Sequence, residues 1–165
     1  MTTVFMKQPN QDISVYVTEA ASKSGKSLIE DPARAVCESL GYQTLYEIPS
    51  MQQIQVRKDL IQIHLDQLQS NTGAVFDHSV MNYLSDWMRW SWSDTTTEVW
   101  DEVITLAKKC TEFYESVYVC SNAPLAGYDG YTWLDKRNAE QQAELNRFML
   151  EKFDLGGACK EYEAS

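Results

Sequence analysis

Basic residues, histidine and long apolar runs are all scarce in this chain, and each scarcity excludes something. Fourteen Lys and Arg stand against 24 Asp and Glu, a net charge of −10. Nucleic-acid backbones require a basic face, so general affinity for them is not expected. The acids are dispersed rather than blocked, which does not identify a DNA mimic either. Only two histidines, His64 and His78, are present, far in sequence from Cys37, Cys110, Cys120 and Cys159, and no C-x-x-C spacing occurs. This pattern offers no zinc site, and four scattered thiols suit a reducing cytosol, hence a cytoplasmic protein. No early apolar run resembles a signal peptide, and none approaches the length of a membrane span.

What is present is ordinary for a globular protein: 165 residues, 44% hydrophobic, 12% aromatic and 23% charged. That length buries a real core in one compact domain. The expected organisation is a single domain over residues 1–165, with a polar leader at 1–12 and a tail at 154–165. No repeat, low-complexity tract or linker interrupts it.

Ile13, Val15 and Val17 alternate with Ser14, Tyr16 and Thr18, which predicts a strand. A helix is expected from Gly25, broken near Glu30–Asp31. A second helix from Pro32 to Leu40 follows, with Asp31 capping it and Gly41 ending it. "YQTLYEI" (Tyr42–Ile48) reads as another strand. Ile54, Leu60, Ile61, Leu65 and Leu68 recur at helical spacing. "AVFDHS" reads as a short strand ending at Asp77, "MNYLSDWMRWSWS" as a helix, and "SDTTTEVWDEVITLAKKCTEFY" as a helix capped at Ser93 or Asp94. A strand at "SVYVCSNA", a loop, a helix over about 136–153 and a weak last strand complete the chain. Strands alternating with helices imply an α/β fold with a mostly parallel sheet, whose ligands gather at the carboxyl ends of the strands.

The stretch Ala20-Ala21-Ser22-Lys23-Ser24-Gly25-Lys26-Ser27 matches the phosphate-loop pattern G-x-x-x-x-G-K-[ST] except at its first position. In that chemistry successive backbone N–H groups turn towards an anion. Ser22 to Ser27 would wrap the phosphates of ATP, Lys26 would reach the β- and γ-phosphates, and the Ser27 hydroxyl would coordinate magnesium. The other reading is a chance G-K-S tripeptide. Asp77, at the end of its strand, suits magnesium positioning or acceptance of a substrate proton, and equally a helix cap. Glu47 suits a substrate ligand or base, and equally an exposed acid. The Trp87–Trp92 segment reads either as core or as a base-stacking surface. His64, within an amphipathic helix, reads as structural.

Taken together, strand, A-x-x-x-x-G-K-S, a strand ending in Glu47, a strand ending in Asp77-His78-Ser79 and the late loop "DGY" resemble small P-loop kinases of nucleosides and nucleotides. The flavour is that of the nicotinamide-riboside-kinase-like branch, over roughly residues 13–153. The resemblance implies a three-layer α/β/α fold, ATP and Mg2+ as cofactors, and phosphoryl transfer to a nucleoside or nucleotide acceptor. It also implies a lid cation, for which Arg137 or Lys136 is available, since Tyr131 and Thr132 occupy the usual lid region. The sequence thus predicts an ATP-dependent P-loop kinase with Lys26, Asp77, Glu47 and Arg137 as its catalytic set. The alternative is a catalytically weak nucleotide-binding protein that acts through a protein partner. Oligomeric state stays open, a homodimer included.

Overall fold

Among the described residues five short strands, all paired in parallel, form one sheet in the order β2-β3-β1-β4-β5. They are β1 (Thr2–Phe5), β2 (Leu28–Ile29), β3 (Val75–Phe76), β4 (Tyr114–Val119) and β5 (Cys159–Glu161). The helices are α1 (Ser14–Ser24), α2 (Ala33–Ser39), α3 (Ser50–Ser70), α4 (Val80–Trp90), α5 (Thr97–Thr111) and α6 (Lys136–Lys152). This computed structural model describes residues 2–7, 11–121, 123 and 136–164, with side chains in the last run from Glu140 onward.

Strand alternation divides the core. Val4, Phe76 and Val117 point to one face, where α2 to α6 supply Cys37, Leu60, Ile61, Leu84, Trp87, Val103 and Met149. Phe5 and Val75 point to the other, where α1 lays Ile13, Val17 and Ala21 against them. Helices on both faces of a parallel sheet give the expected three-layer α/β/α arrangement.

Four expected elements differ. The supposed leader contains β1, which is central in the sheet. Val4 and Phe5 are consecutive and both fully buried, so this strand shows no alternation of apolar and polar residues. Residues 13–18 form not a strand but the start of α1. Ile13, Val17 and Ala21 are buried at four-residue spacing, while Val15 is 71% exposed, so the helical period wins over β propensity. Tyr42–Ile48 is not a strand either. Leu45 and Ile48 are buried three residues apart around a 3-10 turn at Leu45–Glu47, the spacing that such a turn brings to one side.

The helix expected from Gly25 is absent too: Gly25 ends α1, and Leu28–Ile29 pairs with β3 as β2. The remainder agrees closely. Asp31 Oδ1 accepts from the Ala33 amide at 2.9 Å and so caps α2, and Gly41, at φ 85°, follows its end. The expected helix start at Ser93 or Asp94 moves to Thr96, whose hydroxyl accepts from Val99 N. Among the described residues no helix is long and apolar enough to cross a membrane.

Candidate functional site

The Gly25-Lys26-Ser27 tripeptide lies after a helix and before a strand, the reverse of the order a phosphate loop needs. Gly25 takes the left-handed conformation, φ 66° and ψ 24°. Its amide donates to Ser22 O at 3.2 Å, and the Lys26 amide donates to Ala21 O at 3.0 Å. That pair of bonds is the Schellman ending of a helix, in which glycine relieves the steric cost of positive φ. Ser22, Lys23 and Ser24 belong to the last turn of α1, so their amides serve the helix. Ser24 Oγ bonds back to Ala20 O at 2.7 Å, and Lys23 pairs with Glu19 one turn earlier. Ser27 O accepts from Val75 N at 2.8 Å. Residues 20–27 therefore offer no row of free amides, and they sit at the amino end of β2. They do not fit a magnesium nucleotide.

The carboxyl ends of the strands meet elsewhere. Lys7 follows β1, Glu30 and Asp31 follow β2, and Asp77 follows β3. With Asp12, Ser14, Val17 and Thr18 from the start of α1, they enclose a cleft of about 190 Å³. The segment between β1 and α1 reads "MKQPNQDI", without the G-K-[ST] run that a phosphate loop would place there. Its described ends are tied down. Lys7 O accepts from Asn82 Nδ2 at 2.7 Å, and Gln11 Nε2 donates to Ser121 O at 3.2 Å. Asp12 Oδ1 accepts from the amide and hydroxyl of Ser14, at 3.0 and 2.6 Å. Those two bonds, the hydroxyl's first, hold the Asp12 carboxyl below its ordinary pKa. An anion placed at the start of α1 would thus meet a carboxylate already occupying that helix end.

Four carboxylates and one ammonium line this cleft among the described residues. A polyphosphate is poorly matched to that balance, whereas hydroxyl and cationic groups are well matched. No three His, Cys, Asp or Glu side chains among the described residues converge as a metal site. A larger surface groove of about 550 Å³ runs between α4 and α6, lined by Met88, Arg89, Gln141, Glu144, Leu145 and Phe148. It includes none of the strand-end residues.

Of the sequence-predicted residues with described side chains, Asp77 alone is on the cleft wall. Lys26 and Ser27 are at the other end of β2. Glu47 is exposed in the 3-10 turn, accepting from the Gln43 amide at 2.8 Å, and is not part of the cleft. Arg137 and Lys136 fall in the first turn of α6, outside the described side chains, and Tyr131, Thr132 and the Asp129-Gly130 pair lie outside the described residues. Trp87 is core, fully buried with its Nε1 donating to Thr95 Oγ1 at 2.7 Å. Trp90 packs edge-on against Tyr46 at 5.0 Å, and Trp92, 48% exposed, against Trp100 at 4.9 Å. The tryptophans cluster at the far end of α4 from Asp77.

Sequence reasoning missed what stands behind Asp77. Its Oδ1 accepts from His78 Nδ1 at 2.9 Å, and His78 is bonded in turn to His64. Both imidazoles are buried. Burial, and then the neighbouring His78, push the His64 pKa well below its ordinary value, while burial pushes the Tyr114 phenol well above its own. The available signal was that the only two histidines of the chain fall on inward faces of adjacent elements.

The sheet order, all-parallel pairing and cleft position invite comparison with known structures. The chain aligns over 99% of its length, at TM-scores of 0.72 and 0.73, with NadR protein in complex with NAD and AMP-PNP and with NadR protein in complex with NR. It aligns over 98% at a TM-score of 0.66 with deoxyadenosine kinase from M. mycoides with bound dCTP. The fold is that of the P-loop kinases. Identities are only 13%, 15% and 10%. The chain spans 44% and 46% of the two NadR chains and 89% of the deoxyadenosine kinase chain. No family model and no curated protein sequence matches it.

Proposed function

We propose that this chain uses a nucleoside-kinase fold to bind a nucleoside or nucleotide in the cleft at the carboxyl ends of β1, β2 and β3, with Asp77 accepting a ligand hydroxyl. The observation that carries the reading is the position of Asp77, on the cleft wall just after β3, where ligands of open α/β sheets collect. The kinds of ligand named for the NadR and deoxyadenosine kinase complexes support the ligand class. The acidic lining favours the nucleoside end of that class over a polyphosphate.

ATP-dependent phosphoryl transfer is the fuller form of this reading. It requires a phosphate cradle with a cation, and Lys7 is the one lysine or arginine among the described lining residues. Binding without efficient transfer is favoured by a specific observation: Gly25-Lys26-Ser27 is a helix ending, not a phosphate loop. Our conclusion is a nucleoside-binding protein on a kinase fold, with no transfer routed through Lys26.

Calorimetry with a nucleoside panel and with magnesium-ATP tests it, alongside a labelled-ATP product assay. A nucleoside should bind the wild type and Lys26→Ala equally. Asp77→Asn should weaken binding about 10- to 100-fold, the scale of a hydrogen bond to a charged group. Loss of ATP binding or of phosphoryl transfer in Lys26→Ala would overturn the conclusion.

A further inference from the structure

Behind the cleft, one carboxylate, two imidazoles and one phenol stand in a continuous line. Asp77 Oδ1 is 2.9 Å from His78 Nδ1, and His78 Nε2 is 3.0 Å from His64 Nδ1. His64 Nε2 is 2.6 Å from the Tyr114 hydroxyl, which accepts from the Val80 amide at 2.8 Å. The Val80 contact sets the direction of the whole line. An amide N–H only donates, so the Tyr114 oxygen accepts from it and has its own proton left for His64 Nε2. His64 then carries its proton on Nδ1 and donates to His78 Nε2. His78 carries its proton on Nδ1 and donates to Asp77. Reversing the line would put two donors on the Tyr114 oxygen and leave a buried phenol proton without an acceptor, a costly arrangement.

The rings are held as well as bonded. Phe76 packs edge-on against His64 at 5.4 Å and His78 at 5.6 Å. Tyr83 packs against both imidazoles at 6.0 and 5.8 Å, while its hydroxyl donates to Asp31 Oδ1 on the cleft wall at 2.7 Å. Tyr114, His64, His78 and Tyr83 come from β4, α3, the β3–α4 turn and α4. The line therefore ties the packing beneath the sheet to one carboxylate at its edge.

We propose that His78, His64 and Tyr114 are positioning residues. They fix one oxygen of Asp77 and leave the other to accept a hydrogen bond from a hydroxyl or ammonium group of the bound molecule. The ligand half of this inference rests on the nucleoside-binding reading; the direction of the line rests on the distances alone. Every donor points towards Asp77, so a proton taken up by that carboxylate has no acceptor further in. The line orients Asp77 and does not relay protons away from it.

Long-range nitrogen–proton correlation spectra of the imidazoles at pH 7.5 test the direction without any ligand. Both histidines should show the Nδ1–H tautomer, Tyr114→Phe should leave His64 as Nδ1–H but move its Nε2 signal as that nitrogen loses the phenol donor, and Asp77→Asn should alter the His78 signals. An Nε2–H tautomer on either histidine in the wild type, or an unchanged His78 in Asp77→Asn, would overturn the proposal. Calorimetry of Tyr114→Phe with adenosine, 5′-deoxyadenosine and 2′,3′-dideoxyadenosine then separates positioning from packing. Positioning predicts a fivefold or greater loss of affinity for adenosine, and a smaller loss for whichever analogue lacks the bonded hydroxyl. A lowered Tm with affinities for all three unchanged would overturn the positioning role. If the wild type binds no nucleoside, the ligand reading falls with Asp77's ligand contact, while the spectra still decide the direction of the line.

Discussion

The buried histidine makes stability depend on pH in a calculable way. His64 is fully buried, and burial together with His78 places its folded pKa well below the ordinary value of 6.5 that it regains on unfolding. Below pH 6.5 the unfolded chain therefore binds a proton that the folded chain refuses. A group of this kind supports the folded state above the unfolded pKa, and that support is lost as the pH falls. If His64 stays neutral in the fold down to pH 5, the loss between pH 7 and pH 5 is about 2 kcal/mol. Domains of this size have about 5–15 kcal/mol in all, so the effect is readily measured.

Urea unfolding at pH 7 and pH 5, on the wild type and on His64→Asn, isolates it. The asparagine amide nitrogen takes the place of the Nδ1 donor to His78, while the titrating group is gone. His64→Asn should be less stable than the wild type at pH 7, by about 1–3 kcal/mol for the Tyr114 hydroxyl proton left without its acceptor. The gap should shrink by about 2 kcal/mol at pH 5, since carboxylates and exposed groups titrate alike in both chains. A gap of equal size at the two pH values would refute the reasoning, because it would mean that His64 titrates alike in the folded and unfolded chains.

Gly25→Ala should cost about 1–2 kcal/mol in urea unfolding, the strain of a left-handed alanine, with no added clash because nothing lies within 4 Å of a Cβ there. Its nucleoside affinity should match the wild type, since Gly25 ends a helix; a loss of affinity without a loss of stability would restore the phosphate-loop reading. Lys26→Ala should change stability by about 0.5 kcal/mol or less in the same assay, as expected of a surface substitution. Trp87→Ala should cost about 3–5 kcal/mol, since it empties a fully buried indole site and removes the indole donor to the Thr95 hydroxyl; a cost under about 1 kcal/mol would contradict the packing.

How far the sequence could be read depended on whether local pattern and tertiary burial agreed. On α3 they agreed: Leu60, Ile61, Leu65 and Leu68 share one buried face, and periodicity finds it. On Ile13–Thr18 they diverged, because Ile13 and Val17 satisfy both a two-residue and a four-residue repeat. The tie is broken only by Ala21, which is buried against the sheet, and by Val15, which is not. That single misreading reversed the order of elements around Gly25 and turned a helix ending into a phosphate loop. β1 was hidden for the opposite reason, since a short strand buried on both faces carries no alternation. Asp77 survived these shifts because its place after β3 depended on neither. Its partners were illegible: His64 and Tyr114 are 14 and 36 residues apart from His78 along the chain, and only the packing of α3 and β4 brings them together.

The charge of the cleft discriminates among ligands in a way the fold alone does not. A unit charge pair about 4 Å apart near a protein surface interacts with about 4 kcal/mol. Among the described lining residues four carboxylates stand against Lys7, a balance that repels a phosphate chain and not a nucleoside's hydroxyls. Two of those carboxylates are already engaged: Asp12 by the Ser14 amide and hydroxyl, and Asp31 by the Ala33 amide and the Tyr83 hydroxyl. Asp77 is different, for its anchored oxygen is backed by a buried line of donors. The carboxylates at these strand ends are therefore not equivalent, and among the described lining residues Asp77 is the one held from behind by buried imidazoles.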